Sequence, residues 1–342
     1  MHWQYGIDLG TESVRMAALK RGPVLAVPAA LAFREGNTVP ICAGEIAQRL
    51  EGRTCEGVSV RHPLKDGVLE NNLYADRLLR WLYRESEDYR PRRSFGAVIT
   101  CAPFARPVQQ DALLTAAVDA GAAEAMLIRS DAAAALGAGH DLSTPEAKLV
   151  IDVGAGKMTC TLFTFGRVAA FGCIPYGLNR IDDRIQRILR TDYGYRVGRS
   201  AAVEIKHTLG SALPALAPKD IIMHSVGVNM ATRLPMHFDV ETQPVLDACE
   251  DVTAELSRLC LTVIDSIPEE LSADLNDTGA VLVGGGAVMT ELDRRIGQAL
   301  GIPCRVADDP GSCAVRGLAK VIEDPRPYEA MILGRRARSG WR

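Results

Sequence analysis

The sequence predicts an α/β fold made of two similar halves. Three observations carry that expectation. Tyr5 to Ser13 (YGIDLGTES) and Leu149 to Lys157 (LVIDVGAGK) share one pattern: an apolar run, an aspartate, a glycine two residues on, then small residues. Asp8 and Asp152 lie 144 residues apart, so the repeat is domain-sized. A third glycine element, Gly284-Gly285-Gly286, follows the apolar run Ala280 to Val283. Each Asp-Gly stretch reads as strand, tight turn and strand. An acidic residue with free backbone N–H groups at each turn could clamp a phosphate–metal pair between the halves.

At 342 residues the chain is too long for one ordinary core and fits two domains. Hydrophobic content of 47% and charged content of 24% are those of a globular protein. A formal net charge of −3 offers no field to gather nucleic acid, so no such partner is expected. The nine cysteines are scattered without a CxxC pair, which predicts reduced core thiols and a cytosolic setting. MHWQYGIDLG enters a strand at once, so no signal peptide is expected, and no apolar run reaches membrane-spanning length.

In chain order, Val14 to Leu19 completes the first hairpin and Pro23 to Phe33 reads as a third strand beside it. Ala43-Gly44-Glu45 opens a short helix, and Pro63 with Asp66-Gly67 forms a turn. Leu73, Leu78, Leu79, Leu82 and Tyr83 share one face of a helix ending near Glu85. Tyr89 to Ser94 is a basic loop, and Ala97 to Pro103 is a buried strand stopped by proline. Val108 to Ala120 forms an Ala-rich helix, Ala125 to Ile128 a strand, and Ser130-Asp131 can cap the helix that follows. Ser143-Thr144-Pro145 separates the halves.

The second half repeats the hairpin and adds a strand from Arg167 to Ile174. Asn179 is placed to cap a helix whose inward face is Ile181, Ile185, Ile188 and Leu189. Ser200 to Leu209 is another helix, carrying Glu204, Lys206 and His207. Ile221 to Asp239 predicts a small antiparallel subdomain, and Pro244 to Ile267 a long amphipathic helix. The glycine cluster, with Ala287, precedes a helix from Met289 to Leu300, where bare backbone and a helix N-terminus favour an anion.

These stretches together resemble the superfamily of actin, the heat-shock chaperones and the sugar kinases, and within it the MreB family of bacterial actins. Gly6 to Thr11 is similar to the first phosphate motif, Asp152 to Gly156 to the second, and Gly284 to Ala287 to the adenosine motif. Pro63 to Val68, Ala133 to Gly139, Ile205 to Ala212, Gly301-Ile302-Pro303 and Asp309-Pro310 resemble MreB specifically. The resemblance implies an actin-like ATPase fold: two RNase H-like domains around a nucleotide cleft, each with a five-stranded sheet and a small subdomain. Domain I would span 1–145, with its subdomain at about 31–65 and a C-terminal helix, about 311–326, packing back on it. Domain II would span 146–310, with its subdomain at about 180–240.

ATP and Mg²⁺ are the implied cofactors. Asp8 and Asp152 would organise the metal through water. Gly10, Thr11, Glu12, Ser13, Gly154, Ala155, Gly156, Lys157, Glu204, Lys206, His207, Gly284, Gly285, Gly286 and Ala287 would hold the nucleotide. The implied function is a filament beneath the inner membrane that scaffolds cell-wall elongation and so determines cell shape. The implied partners are the chain itself, the elongation machinery and the inner-membrane surface.

The departures concern hydrolysis. Two glutamates and a proline usually stand where this chain has Arg129, Ser130 and Asp131, and Ser130 takes the place of the glutamate that positions water. A serine hydroxyl is no carboxylate base, and Asp131 could replace it only if the backbone shifted. Lys157 replaces a threonine and would either pair with phosphate or point to solvent. Gly177-Leu178-Asn179 loses a glycine and a carboxylate, and Val203 stands where a glutamate usually meets the ribose, with Glu204 adjacent. Catalysis by Asp8, Asp152, Ser130 and Asp131 therefore stays open between a slow ATPase and a hydrolysis-deficient, nucleotide-gated scaffold. A small-molecule kinase of the same superfamily is the weaker alternative, because no substrate pocket with a base is evident. The tail Tyr328 to Arg342 joins Met331-Ile332-Leu333 to Arg335, Arg336, Arg338, Trp341 and Arg342, which suits either an anionic membrane or a disordered tail.

Overall fold

A first sheet is built from residues early in the chain. β1 (Trp3–Leu9), β2 (Ser13–Ala18) and β3 (Gly22–Pro28) form an antiparallel meander. The computed structural model describes residues 3–87, 89–90, 94–217 and 221–338. A small satellite sheet follows, with β4 (Leu31–Arg34) between β5 (Cys42–Ala43) and, beyond α1 (Glu45–Leu50), β6 (Val58–Arg61). The ribbon β7 (Leu64–Lys65) and β8 (Val68–Leu69) turns at Asp66-Gly67, where both residues have positive φ. Asn71 caps α2 (Asn72–Glu85) by accepting from the Leu73 and Tyr74 amides at 2.9 and 3.3 Å. β9 (Gly96–Cys101) is buried throughout and lies parallel to β1. After α3 (Pro107–Ala120), which opens on its proline, β10 (Glu124–Arg129) extends the sheet in parallel and α4 (Ser130–Gly137) leaves it.

The second sheet repeats the order. β11 (Lys148–Val153), β12 (Met158–Thr164) and β13 (Arg167–Ile174) form the antiparallel meander. α5 (Asn179–Thr191), β14 (Tyr195–Arg196), α6 (Arg199–Leu209), β15 (Ile222–Asn229) and β16 (Pro235–Glu241) make the second satellite, whose three strands are antiparallel. α7 (Thr242–Asp265) and α8 (Glu269–Thr278) lead to β17 (Ala280–Val283), which pairs parallel with β11. α9 (Leu292–Leu300) and β18 (Cys304–Val306) complete the sheet, so β13-β12-β11-β17-β18 copies β3-β2-β1-β9-β10. α10 (Cys313–Glu323) then returns to the first sheet, and β19 (Ile332–Ala337) adds a sixth strand to its edge.

Alternation assigns the faces of both sheets. Ile7, Leu9, Ile99 and Leu127 point to an outer core under α2 and α3, while Ile151, Val153 and Leu282 point to one under α5, α7 and α9. The opposite faces, carrying Val98, Met126, Val150 and Val281, share a third core with α4 and α10 between the sheets. Those two helices touch backbone to backbone. A Cβ at Gly137 would collide with the Cys313 carbonyl, and one at Gly317 with the Ala133 carbonyl. Lys320 Nζ donates to the Leu136 carbonyl at 2.7 Å, a cation at the negative end of α4.

Several expectations are corrected. The run Pro23 to Phe33 is two strands in two sheets: past Pro28, the Ala29 amide donates to Glu12 O at 2.9 Å, and the chain turns away. The first sheet has six strands, not five. Its extra strand is part of the tail considered either disordered or membrane-docking. Met331 is 1% exposed, Leu333 packs against the first outer core, and Arg335 and Arg336 pair with Glu329 and Asp111 at 2.6 and 2.7 Å. Trp341 and Arg342, and positions 91–93 of the basic loop, lie outside the described residues. Neither Asn179 nor the Ser130-Asp131 pair caps its helix; each begins it. The helix expected from Met289 starts at Leu292, after a short 3₁₀ turn over Gly285–Val288. The nine cysteines are free thiols, five of them buried, but Cys55 is exposed and so not a core residue.

Candidate functional site

The two Asp-Gly turns face each other across a cavity of about 510 Å³ between the sheets. They close alike: Gly10 N donates to Ser13 O at 3.0 Å, and Gly154 N to Lys157 O at 2.9 Å. They also touch, since a Cβ on Gly156 would overlap Thr11, whose Oγ1 accepts from Gly67 N of the β7–β8 turn at 3.2 Å. The second turn is held from behind by α5, where the Leu178 and Asn179 amides donate to the Gly154 and Ala155 carbonyls at 3.0 Å.

Asp8 stands opposite Arg15 in the hairpin register and accepts from Thr100 Oγ1 at 2.9 Å. The same hydroxyl accepts from the Leu9 amide at 3.1 Å. Burial pushes the Asp8 carboxyl above its ordinary value, and Asp152 adds to this against the pull of Arg15, Thr100 and Lys157. Asp152 is 9% exposed and forms an ion pair with Lys157 Nζ. Burial works against the Lys157 ammonium, yet Asp152, with Asp131 and Asp8 behind it, outweighs burial and holds the amine above its ordinary value. Gly284 has φ +86° and leaves no room for a Cβ against Asp152 Oδ1, whereas Gly285 opens onto free space.

The far side of the cleft is clasped by charge. Glu12 Oε1 accepts from Asn179 Nδ2 at 2.8 Å and from Arg199 at 2.5 Å. Arg199 also lies 3.9 Å from Glu51, which pairs with His62 at 3.5 Å. The contact between these two side chains, by hydrogen bonding and then by charge, lowers Glu51 and raises His62 from their ordinary values against the opposing effect of burial. Deeper in, Lys206 meets Asp182, 1% exposed, at 2.7 Å.

Of the residues singled out from sequence, Asp8, Gly10, Thr11, Glu12, Ser13, Ser130, Asp152, Gly154, Ala155, Gly156, Lys157, Lys206, His207, Gly284, Gly285 and Gly286 line the cavity. Asp131, Glu204 and Ala287 do not. Glu204 is exposed on α6, and Ala287, 1% exposed, belongs to the second core. Asp131 is fully buried and committed: Arg129 donates twice, at 2.6 and 3.1 Å, Thr161 Oγ1 at 2.6 Å and the Ala132 amide at 2.8 Å. Arg129 in turn stacks over Phe171 at 5.0 Å, so this group ties α4 to the second sheet. Ser130 Oγ is buried without a partner. Sequence reasoning missed Arg15, Thr100, Asp182 and Arg199. Thr100 had a signal, a lone hydroxyl in an apolar strand, and Arg15 follows from the hairpin register.

Two sheets of one topology, closing Asp-Gly turns on a shared cleft, define the actin-like fold. A family model described as MreB/Mbl protein matches residues 2–330, and the chain belongs to the MreB/Mbl family. It is 31% identical over 322 residues to the cell shape-determining protein MreB of Escherichia coli K12, covering 93% of this chain and 92% of that one. The cell shape-determining protein Mbl of Bacillus subtilis is 27% identical over 319 residues, covering 93% and 95%. Among solved structures, MreB 5 of Spiroplasma citri bound to AMPPNP superposes with a TM-score of 0.87 at 23% identity, covering 94% of this chain and 96% of that one. A MamK double helical filament gives 0.78 at 20% identity, covering 94% and 98%. No helix among the described residues is long and apolar enough to cross a membrane.

Proposed function

We propose that this chain is a cell-shape filament protein that binds ATP in the cleft between its two sheets, self-associates, and scaffolds cell-wall elongation at the inner-membrane surface. The observation that carries the reading is the meeting of both Asp-Gly turns and Gly285 around one cavity large enough for a nucleotide. The turn amides and Gly-opened backbone suit phosphates. Family membership supports the filament, the elongation machinery as partner and the membrane surface, and the MamK neighbour is itself a double helical filament. In this reading the halves on either side of residue 146 are the two nucleotide-clasping domains, with the satellites at about 31–65 and 180–240 as their subdomains.

Two features favour a scaffold that hydrolyses poorly. Ser130 lines the cavity at the position where the family resemblance expects a water-positioning glutamate, and Asp131 has both carboxylate oxygens engaged away from the cavity. Glu204, exposed on α6, is not among the residues lining the cavity, so it does not compensate for Val203. The Mg²⁺ expected at Asp8 and Asp152 does not fit these residues, because Lys157 already neutralises Asp152. Electron microscopy and pelleting with and without ATP test the reading. Filaments that depend on ATP are expected; a chain that stays monomeric at high concentration with nucleotide overturns it.

A further inference from the structure

The cavity holds a cation of its own. Lys157 follows the second phosphate turn, and its ammonium pairs with Asp152 instead of reaching solvent. The side chain is 14% exposed, and its position is built rather than incidental. Its stem lies across Gly67, where a Cβ would stand 2.9 Å from both Lys157 Cβ and Cδ. Gly67 can turn there because it has φ +76°, in the β7–β8 ribbon that the sequence singled out without a role.

Each acidic side chain lining the cavity faces one cation: Asp182 has Lys206, Glu12 has Arg199, Asp8 has Arg15 across the hairpin, and Asp152 has Lys157. Two facing aspartates without Lys157 would form a site short of positive charge, which a divalent ion bridging to phosphate would satisfy. With Lys157 in place, a divalent ion beside Asp152 would meet an ammonium at close range, and like charges repel strongly in a partly buried site. Among the described residues, no group of three or more His, Cys, Asp or Glu side chains stands ready to hold a metal.

We propose that Lys157 takes the part of the divalent cation in this cleft, so that nucleoside triphosphate binds here without metal. The ammonium stands between Asp152 and the incoming phosphates, as a point charge that reaches both. The inference rests on the nucleotide reading above.

The test is calorimetric titration of AMPPNP into the full chain, once with excess Mg²⁺ and once with EDTA. The expected dissociation constants agree within about threefold, and in Lys157→Thr EDTA weakens binding by about tenfold or more. Wild-type binding that requires Mg²⁺ overturns the inference and leaves the nucleotide reading standing. Absence of binding in both conditions overturns both. Metal-independent binding by a folded Lys157→Thr variant, checked by its thermal transition, also overturns the assignment to Lys157.

Discussion

Replacing Asp131 by alanine separates a structural lock from a catalytic base. Asp131 is fully buried and accepts two hydrogen bonds from Arg129, one from Thr161 and one from the Ala132 amide. Alanine strands the Arg129 guanidinium, whose side chain is 14% exposed, and the Thr161 hydroxyl, which is fully buried. Removing one partner of a buried ion pair costs about 3–5 kcal/mol. The orphaned hydroxyl costs about 1–3 kcal/mol more, although the two are not additive within one network. A loss of roughly 4 kcal/mol is expected, read as a fall in the urea midpoint at unchanged slope. Removing both charges with Arg129→Met and Asp131→Leu should recover much of it, because an apolar pair leaves no charge stranded. A loss under about 1 kcal/mol for Asp131→Ala would refute the lock. Unchanged stability with lost ATP turnover would point to a base instead.

Three further outcomes are expected. Gly317→Ala pushes a Cβ into the Ala133 carbonyl, a backbone atom that cannot swing aside, so stability should fall by about 1–3 kcal/mol or more in urea unfolding. Arg199→Met releases Glu12 and Glu51 but touches a side chain that is 33% exposed. Stability should change by less than about 1 kcal/mol while the radius of gyration from small-angle scattering rises as the clasp opens. His140 has a buried, unpartnered Nε2, and burial, aided by Arg305 and Lys148, pushes its pKa from 6.5 down to about 4. The unfolded chain therefore protonates first, so stability is lost as pH falls through 6.5 and goes on falling to about 4. In urea titrations from pH 7 to 4, the difference between wild type and His140→Gln should shift steadily toward the variant.

What was legible in the sequence was local. The Asp8 and Asp152 hairpins, β9, α2 and α7 each carry a complete period within one short stretch, and all of them form. What was illegible joins distant stretches. Arg199 meets Glu12 from 187 positions away, and Thr161 reaches Asp131 on α4 from a strand of the second sheet. No spacing rule encodes such meetings. Pro23 to Phe33 misled because its composition suits one strand, while the exit of the chain at Pro28 is decided by the Glu12 carbonyl of another turn. The tail misled for a similar reason: Met331 and Leu333 read as an anchor until β10 offers an edge to pair with. Lys157 left phosphate or solvent open, and the structure gives a third partner, the aspartate of its own turn.

The central claim, a nucleotide seated between the two Asp-Gly turns, is tested most directly by a structure of the protein with saturating AMPPNP. The account predicts the phosphates between Gly10–Ser13 and Gly154–Lys157, with the adenosine beside Gly285. A cleft left empty under those conditions, or a nucleotide bound on another face, would contradict it.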